Sequence, residues 1–549
     1  MILSKWVQRI ESGAYPLGCL YGHDSTLIQS ATRLWLDTLG HFFHRFGDRE
    51  VRLFRSPGRV NLRGMHVDTH GGYLNLMTHQ RETVVVAGVS RDSTTTAINT
   101  NARYPEVSFS LGALCQASSF KGAWEAFISA PDVRARIIKN ADSWGNYVEG
   151  CALNVQHRLS DCVVPELCLA VGSTLPHGAA LSSSAALCTS LVLAFSRWAG
   201  REIPPEELIL AARDGEWYAG SRCGLSDQAA MVLGEAQKCV NIALQPARLD
   251  VSSAHTYTIR GDVDLLVVDS RTQRSLRGRE LIDYTRNRFA YSIALHVSHH
   301  ALAALGVDAE RVAHVTGLAA LSPSAWNEED GPSLVYRLLL RIPESIGLRE
   351  LQKRYDIPEL EALYNQQFGN IPEEDRPETF RIRGPLLFGI AESERARLFP
   401  DAIEGGDWER AGRWMAIGHD GDRVVNKDGS VYSFDTSDRA LARLVDARVP
   451  IEECAGAYGA STRALDFLVD AALDAGAYGA CLTGAGLAGS VLALCASDRS
   501  EAIGAQLCRA IASPEYARIT GAADAISSAD AHESVVINTA IAGAGEMLP

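Results

Sequence analysis

Residues 175–190, LPHGAALSSSAALCTS, hold the parts of a phosphate cradle. Gly178 and the small Ala179 and Ala180 let backbone come close to a ligand, and Leu181 leads into Ser182, Ser183 and Ser184 at the first turn of an apolar helix. Free N–H groups and the positive end of a helix dipole favour an anion there. A hydroxyl in that turn can also reach a magnesium ion. The plain alternative is a core helix capped by serine. A second stretch, GEWYAGSRCGLSDQAAM (215–231), places Glu216 near a helix end and Asp227 eleven residues on, in a Gly-flanked turn. One carboxylate for a cation and another beside a substrate hydroxyl suit phosphoryl transfer, a reaction that needs positioning and charge neutralisation more than covalent help. Two solvated carboxylates are the plain reading. A third, SPGRVNLRGMHVDTHGGYLNLM (56–77), reads as a loop rich in Gly, Arg, His and Asp, with Met65 set between Gly64 and His66. A fourth, TGAGLAG, matches G-x-G-x-x-G at Gly484, Gly486 and Gly489. The strand-like SVLALC follows it instead of the helix that a dinucleotide fingerprint requires, so a tight turn competes with that reading. No Walker-type P-loop occurs.

These loops need elements to hold them. The first fifty residues read as helical, ending on Gly47. VRLF (51–54) reads as a short strand and residues 82–100 as a strand pair. Helices are expected over 143–159, from Ser184 onward, and over 204–220, where Pro205 starts and Gly220 ends the pattern. Strands are expected at 166–176, 263–270, 478–497 after the Gly-rich turn, and 534–541. Residues 280–420 look mostly helical, with a Pro-containing irregular connection over 322–378. A composition shift near 255–270 marks a domain boundary.

The bulk properties frame this. The chain has 549 residues, 46% hydrophobic and 21% charged, enough apolar material for two domain cores. A net charge of −14 gives no argument for nucleic acid as a partner. The 12 cysteines form no C-x-x-C pair, and Cys151, Cys188 and Cys495 lie in apolar runs, as buried reduced thiols do. No signal peptide or membrane-spanning run is visible, so a cytoplasmic protein is the expectation. Oligomeric state is not legible.

Taken together and in order, the loops resemble the galactokinase, homoserine, mevalonate and phosphomevalonate kinases (GHMP kinases), and within them the galactokinase branch. The signature G-R-x-N-L-x-G-E-H-x-D-Y-x-G-G is matched by Gly58, Arg59, Asn61, Leu62, Gly64, His66, Asp68, Gly71 and Gly72. P-x-G-x-G-L-S-S-S-A is matched by Pro176, Gly178, Leu181, Ser182, Ser183, Ser184 and Ala185, and T-G-x-G-F-G-G by Thr483, Gly484, Gly486 and Gly489. GNYVEG (145–150) and CGLSDQ (223–228) also resemble family segments. The resemblance spans about residues 51–497, leaving out the N-terminal fifty and the 300–380 segment. It implies an α+β, two-domain GHMP kinase fold with the active site in the cleft between domains 1–258 and 259–549, the second carrying a largely helical insertion around 300–380. It implies ATP and Mg²⁺, a small sugar as acceptor, and neither nucleic acid nor membrane as partner.

By the same resemblance Asp227 faces the anomeric hydroxyl and Arg59 is its ion-pair partner near the transferred phosphate. Ser184 and Glu216 are the Mg²⁺ ligands. The loop Gly178, Ala179, Ala180, Leu181, Ser182, Ser183 and Ser184, with Gly484 and Gly486, holds ATP. Asp68, Met65, His66, Gly71 and, in a loosely matched segment, Tyr284 line the sugar side. The Glu-to-Asp spacing is similar to that of N-acetylgalactosamine kinases. The departures cluster on the sugar side: Met65 stands where the branch carries a Glu for the C6 hydroxyl, Thr69 and His70 replace a Tyr-Asn pair, and Arg63 replaces an apolar residue. Ala180 and Ala488 each replace a Gly, awkward if either backbone needs φ > 0. The expected activity is transfer of the γ-phosphate of ATP to the anomeric hydroxyl of galactose or a galactose-shaped sugar altered at C6, such as galacturonate or L-arabinose, with Arg63 a candidate for a uronate carboxylate. The alternatives are an inactive galactokinase-like sugar sensor, a GHMP kinase acting on a non-sugar alcohol, and a dinucleotide-dependent oxidoreductase.

Overall fold

The computed structural model describes the chain except residues 117, 142, 177, 246–248, 274–278, 327–330 and 370, and the side chains of 118, 279–281, 284 and 331. Two strands organise the first half. β1 (Arg52–Arg63) and β2 (Gly72–Val89) form an antiparallel hairpin joined by the loop 64–71. The third stretch is therefore mostly strand: only its middle is loop. Polar residues can sit in so buried a strand because the second domain supplies partners, as where Thr483 Oγ1 accepts the Asn61 N–H at 2.8 Å.

β2 is long enough to serve two neighbours. Its first half pairs with β6 (Cys239–Leu244), which leads to β7 (His255–Tyr257), and its second half pairs with β5 (Leu167–Ser173). The sheet runs β14-β1-β2-β5-β3-β4, with β3 at Thr95–Asn99, β4 at Val107–Phe109 and β14 at Gly545–Met547. The strand pair expected over 82–100 is not a pair: β5 lies between β2 and β3, and β3 runs parallel to β5. Local pattern locates strands but not their neighbours.

One face of this sheet carries helices Gly145–Arg158, Ser183–Trp198 and Pro205–Tyr218. The other face is covered by the N-terminal helices, chiefly Ser25–Phe46, whose Leu34, Trp35, Thr38, Leu39 and Phe42 recur at helical spacing and are buried.

β8 (Val263–Asp269) starts a second, four-stranded antiparallel sheet ordered β11-β12-β8-β13, with β11 at Gly479–Thr483, β12 at Ser490–Ala496 and β13 at Val535–Ile537. The chain does not end there. β14 (Gly545–Met547) returns to the edge of β1 in the first sheet, so the last strand lies outside the second domain expected over 259–549. The 300–380 segment holds helices Ala309–Ala313, Gly331–Arg341, Leu348–Arg354 and Leu360–Phe368, and an antiparallel pair of β9 (Ser345–Gly347) with β10 (Thr379–Arg381), whose three-residue strands are too short to leave a periodic signal. Among the described residues no helix is long and apolar enough to cross a membrane.

Candidate active site

The phosphate-cradle stretch is a run of alternating left-handed residues. Gly178, Ala180 and Ser182 have φ of 81°, 56° and 61°. Such alternation turns successive N–H groups toward one side, the geometry that receives anions. Ser182 sits at the N-cap of helix Ser183–Trp198 but makes no side-chain cap. Its hydroxyl instead donates to Asp227 Oδ2 at 2.6 Å. The serine-cap reading is thereby set aside for Ser182.

Asp227 lies in the first turn of helix Ser226–Leu233 and receives Arg59 at Oδ1, from Nε and Nη2, each at 2.7 Å. Arg59 Nη1 donates to the Ala180 carbonyl at 2.6 Å. Arg59 thus joins the carboxylate to the cradle. It reaches both because β1 bulges between Pro57 and Arg59, and because Gly58 lets the cradle pack on the strand: a Cβ at Gly58 would lie 2.4 Å from Leu175 Cδ2. Asp68 accepts from the Ser226 N–H at 3.1 Å and Oγ at 2.8 Å, which sets it beside Asp227. Gly224 makes room, since a Cβ there would lie 1.9 Å from Asp68 Oδ2.

Glu216 is buried in the last turns of helix Pro205–Tyr218. It accepts Ser184 Oγ at 2.7 Å and Gln228 Nε2 at 3.0 Å. Burial pushes its carboxyl up to about 7, the Ser184 bond opposes this, and the Asp227 charge adds to it. A buried carboxylate short of countercharge and a hydroxyl beside it are hard oxygen donors that suit Mg²⁺, which takes few protein carboxylates and otherwise keeps phosphates and water. Ser184 and Glu216 fit that ion.

The second domain closes the site from above. β11 and β12 are joined by Gly484–Gly489 as an antiparallel hairpin with no helix following, which removes the dinucleotide reading. A Cβ at Gly484 would lie 3.2 Å from Arg59 Nη2, and one at Gly489 would lie 2.3 Å from the Ala180 methyl. Gly486 presses on Ala460, and Ser490 Oγ donates to the Ala179 carbonyl at 2.6 Å. Of the two Gly-to-Ala departures, only Ala180 occupies the left-handed region; Ala488 does not. Replacing Ala180 with Gly is therefore expected to stabilise the chain by about 1 kcal/mol, measured by urea unfolding. A loss of stability would show that the methyl's packing outweighs the backbone strain.

The sugar-side residues are divided. Asp68 joins the cluster. Gly71, with φ of 74°, lies against Gly317, and the N–H groups of Leu318 and Ala319 donate to the His70 and Gly71 carbonyls at 2.8 and 2.7 Å. The insertion thus braces this loop. Met65 is 1% exposed and belongs to the main core. The His66 side chain is 3% exposed, stacked on Tyr458 at 4.4 Å with its Nε2 3.3 Å from Asp422. Neither presents its side chain to an open cleft. The side chain of Tyr284 lies outside the described residues.

The Arg63 guanidinium is held in the second domain, donating to the Trp414 carbonyl at 2.8 Å and lying 3.4 Å from Glu392. It is not available to a sugar carboxylate. Glu392 itself accepts the N–H groups of Gly64 at 2.7 Å and Met65 at 3.2 Å. Sequence reasoning missed Glu392 and Arg395. The only local signal is their i,i+3 spacing in a helix crowded with charges.

Comparison with known proteins shows what the chain is similar to. Residues 40–89 match the galactokinase galactose-binding signature, 146–235 the GHMP kinases N terminal domain, and 434–513 the GHMP kinases C terminal model. The galactokinase of Chloroflexus aurantiacus is 26% identical over 470 residues, 85% of this chain and 90% of that protein. The galactokinase of Chloroflexus aggregans is 29% identical over 270 residues, 49% of this chain and 60% of that protein. Among solved structures, the galactokinase of Lactococcus lactis complexed with galactose superposes with a TM-score of 0.57 at 19% identity, covering 92% of this chain and 97% of that one, a likeness of fold.

Proposed function

Because the chain belongs to the galactokinase branch of the GHMP kinases and is an ATP-dependent sugar kinase, we propose that it phosphorylates the anomeric hydroxyl of a galactose-shaped sugar whose C6 group is uncharged or missing. The observation that carries this reading is the joint hold on Asp227 by Arg59 and by Ser182 of the cradle, which puts an acceptor for a hydroxyl proton next to a phosphate site.

In this reading Asp227 orients the C1 hydroxyl and takes its proton, while Arg59 faces the transferring phosphoryl group. The cradle N–H groups and the start of helix Ser183–Trp198 hold the β- and γ-phosphates. Asp68 bonds sugar hydroxyls. Gly484 and Gly486 let the second domain close on both. Ser184 and Glu216 would hold Mg²⁺, which when bound neutralises phosphate charge. The rate then comes from alignment and preorganised charge. The domains divide near residue 258, with β14 returned to the first.

At the position that the resemblance assigns to C6 the chain carries Met65 in place of a carboxylate, its side chain packed in the core, and Arg63 is occupied elsewhere, so no cation faces a C6 carboxylate. Galactose and L-arabinose fit this better than galacturonate, whose carboxylate would be buried without a partner. A neutral sugar is expected to be favoured on the order of 10²-fold or more in kcat/KM. ATP-dependent turnover across aldoses and uronic acids, with NMR of the product, tests this. Turnover of galacturonate alone, or phosphate on a hydroxyl other than C1, would overturn it. The sensor alternative is disfavoured because Arg59, Ser184, Glu216 and Asp227 are all retained in contact.

A further inference from the structure

A cavity of about 730 Å³ lies outside the site just described. Its walls come from both halves of the chain: helices Trp124–Ser129 and Pro131–Lys139, the end of helix Pro205–Tyr218 with the loop after it, helix Arg279–Ala304, and helix Leu360–Phe368 of the insertion. Among the described residues that line it are three arginines, Arg134, Arg222 and Arg288, and one carboxylate, Glu125. In a chain of net charge −14 this is a local inversion of sign.

Arg222 is the telling member. Among the described residues its Nη1 is buried with no hydrogen-bond partner. Its guanidinium lies 4.9 Å over the Trp217 ring, and its carbonyl accepts Arg288 Nη1 at 2.7 Å, which holds the two cations close together. Burial lowers its affinity for a proton, Glu125 opposes this, Arg288 and Arg134 lower it further, and Asp214 opposes them more weakly. Neighbouring like charges with an unused donor are costly to bury unless something anionic arrives. Trp217 and neighbouring isoleucines give the cavity an apolar wall, and its size suits a ligand larger than a bare ion.

We propose that this cavity binds a phosphomonoester of sugar-phosphate size, with the phosphate on Arg222 and Arg288 and the carbon skeleton against Trp217. The occupant would act on catalysis through the loop 219–225. One side of that loop carries Arg222 into the cavity; on its other side Gly224 abuts Asp68, and Trp217 Nε1 donates to the Cys223 carbonyl at 2.9 Å. Binding would therefore fix the wall against which the sugar-facing carboxylate rests and change the KM for sugar.

Calorimetric titration of the full chain with glucose 6-phosphate, with inorganic phosphate and with AMP tests the proposal, each with and without saturating Mg²⁺ and a non-hydrolysable ATP analogue. Glucose 6-phosphate is expected to bind one per chain in both conditions, more tightly than inorganic phosphate, and about tenfold or more weakly in Arg222→Gln/Arg288→Gln. Arg134→Gln, an exposed change at the rim, gives a milder loss and serves where the double variant does not fold. AMP binding more tightly than the sugar phosphate would overturn the proposed ligand. No binding at millimolar concentration, loss of binding when the nucleotide site is filled, or unchanged affinity in the variants would overturn the site itself. None of these readouts requires turnover, so failure of the sugar 1-kinase reading would leave them intact.

Discussion

Asp227→Asn is expected to lower kcat by on the order of 10³-fold or more while leaving the folded structure in place. The substitution keeps the shape and keeps an oxygen for the Ser182 hydroxyl, now 2.6 Å from Asp227 Oδ2. It removes the charge that faces Arg59 and the group that takes the sugar's proton. Arg59 remains anchored by the Ala180 carbonyl, so the cradle should not collapse. Sugar affinity should fall much less than kcat, because Asp68 keeps the Ser226 N–H and hydroxyl, at 3.1 and 2.8 Å. A coupled assay of ATP turnover with a sugar acceptor, beside a thermal melt of both proteins, reads the two effects. A variant within tenfold of the parent kcat would remove Asp227 from the reaction. A parent that binds sugar but turns over no ATP would restore the sensor alternative.

The parts legible in the sequence are those whose chemistry is local. The cradle could be read because small residues and three serines precede an apolar helix, and that composition has few other uses. Glu216 and Asp227 lie eleven residues apart across one turn, so a single stretch contains both. The turn at Gly484–Gly489 was distinguishable from a dinucleotide loop because the next residues are strand-like.

The illegible parts depend on partners far along the chain. Nothing near Arg63 shows that its guanidinium would be taken by a carbonyl on a helix 351 residues later. Met65 and His66 have the residue types of a binding loop, yet Met65 is buried in the core and His66 stacks on Tyr458 of the second domain, and loop composition does not specify which way a side chain turns. The insertion resembled nothing, but it donates two backbone hydrogen bonds to the sugar loop. β14 left a three-residue trace too short for periodicity to register.

Glu392→Ala is expected to destabilise the chain by about 3–5 kcal/mol. Its carboxylate is fully buried between two arginines that are equally buried, Arg63 at 3.4 Å and Arg395 at 2.9 Å. Burial by itself would raise the carboxyl's pKa, but Arg63, Arg395 and the Gly64 N–H together hold it below the usual carboxylate range. The alanine variant leaves two cations without countercharge and two backbone N–H groups of the sugar loop without an acceptor. Because the folded-state pKa is depressed, the native Glu392 contributes its stability above the ordinary glutamate range and loses it as pH falls through that depressed value. Urea unfolding of parent and variant at neutral and acidic pH should therefore converge toward the acid end. The structural and positioning roles separate in a further variant. Replacing all three charges, Arg63→Met with Glu392→Leu and Arg395→Met, removes the uncompensated cations and should recover most of the stability. It does not restore an acceptor for the Gly64 and Met65 N–H groups, so KM for sugar should stay raised while kcat at saturation recovers. Glu392→Gln keeps an acceptor without the charge and should show the reverse, a smaller change in KM with a persistent loss of stability. An alanine variant as stable as the parent, or a triple variant with the parent's KM, would reduce this triad to packing.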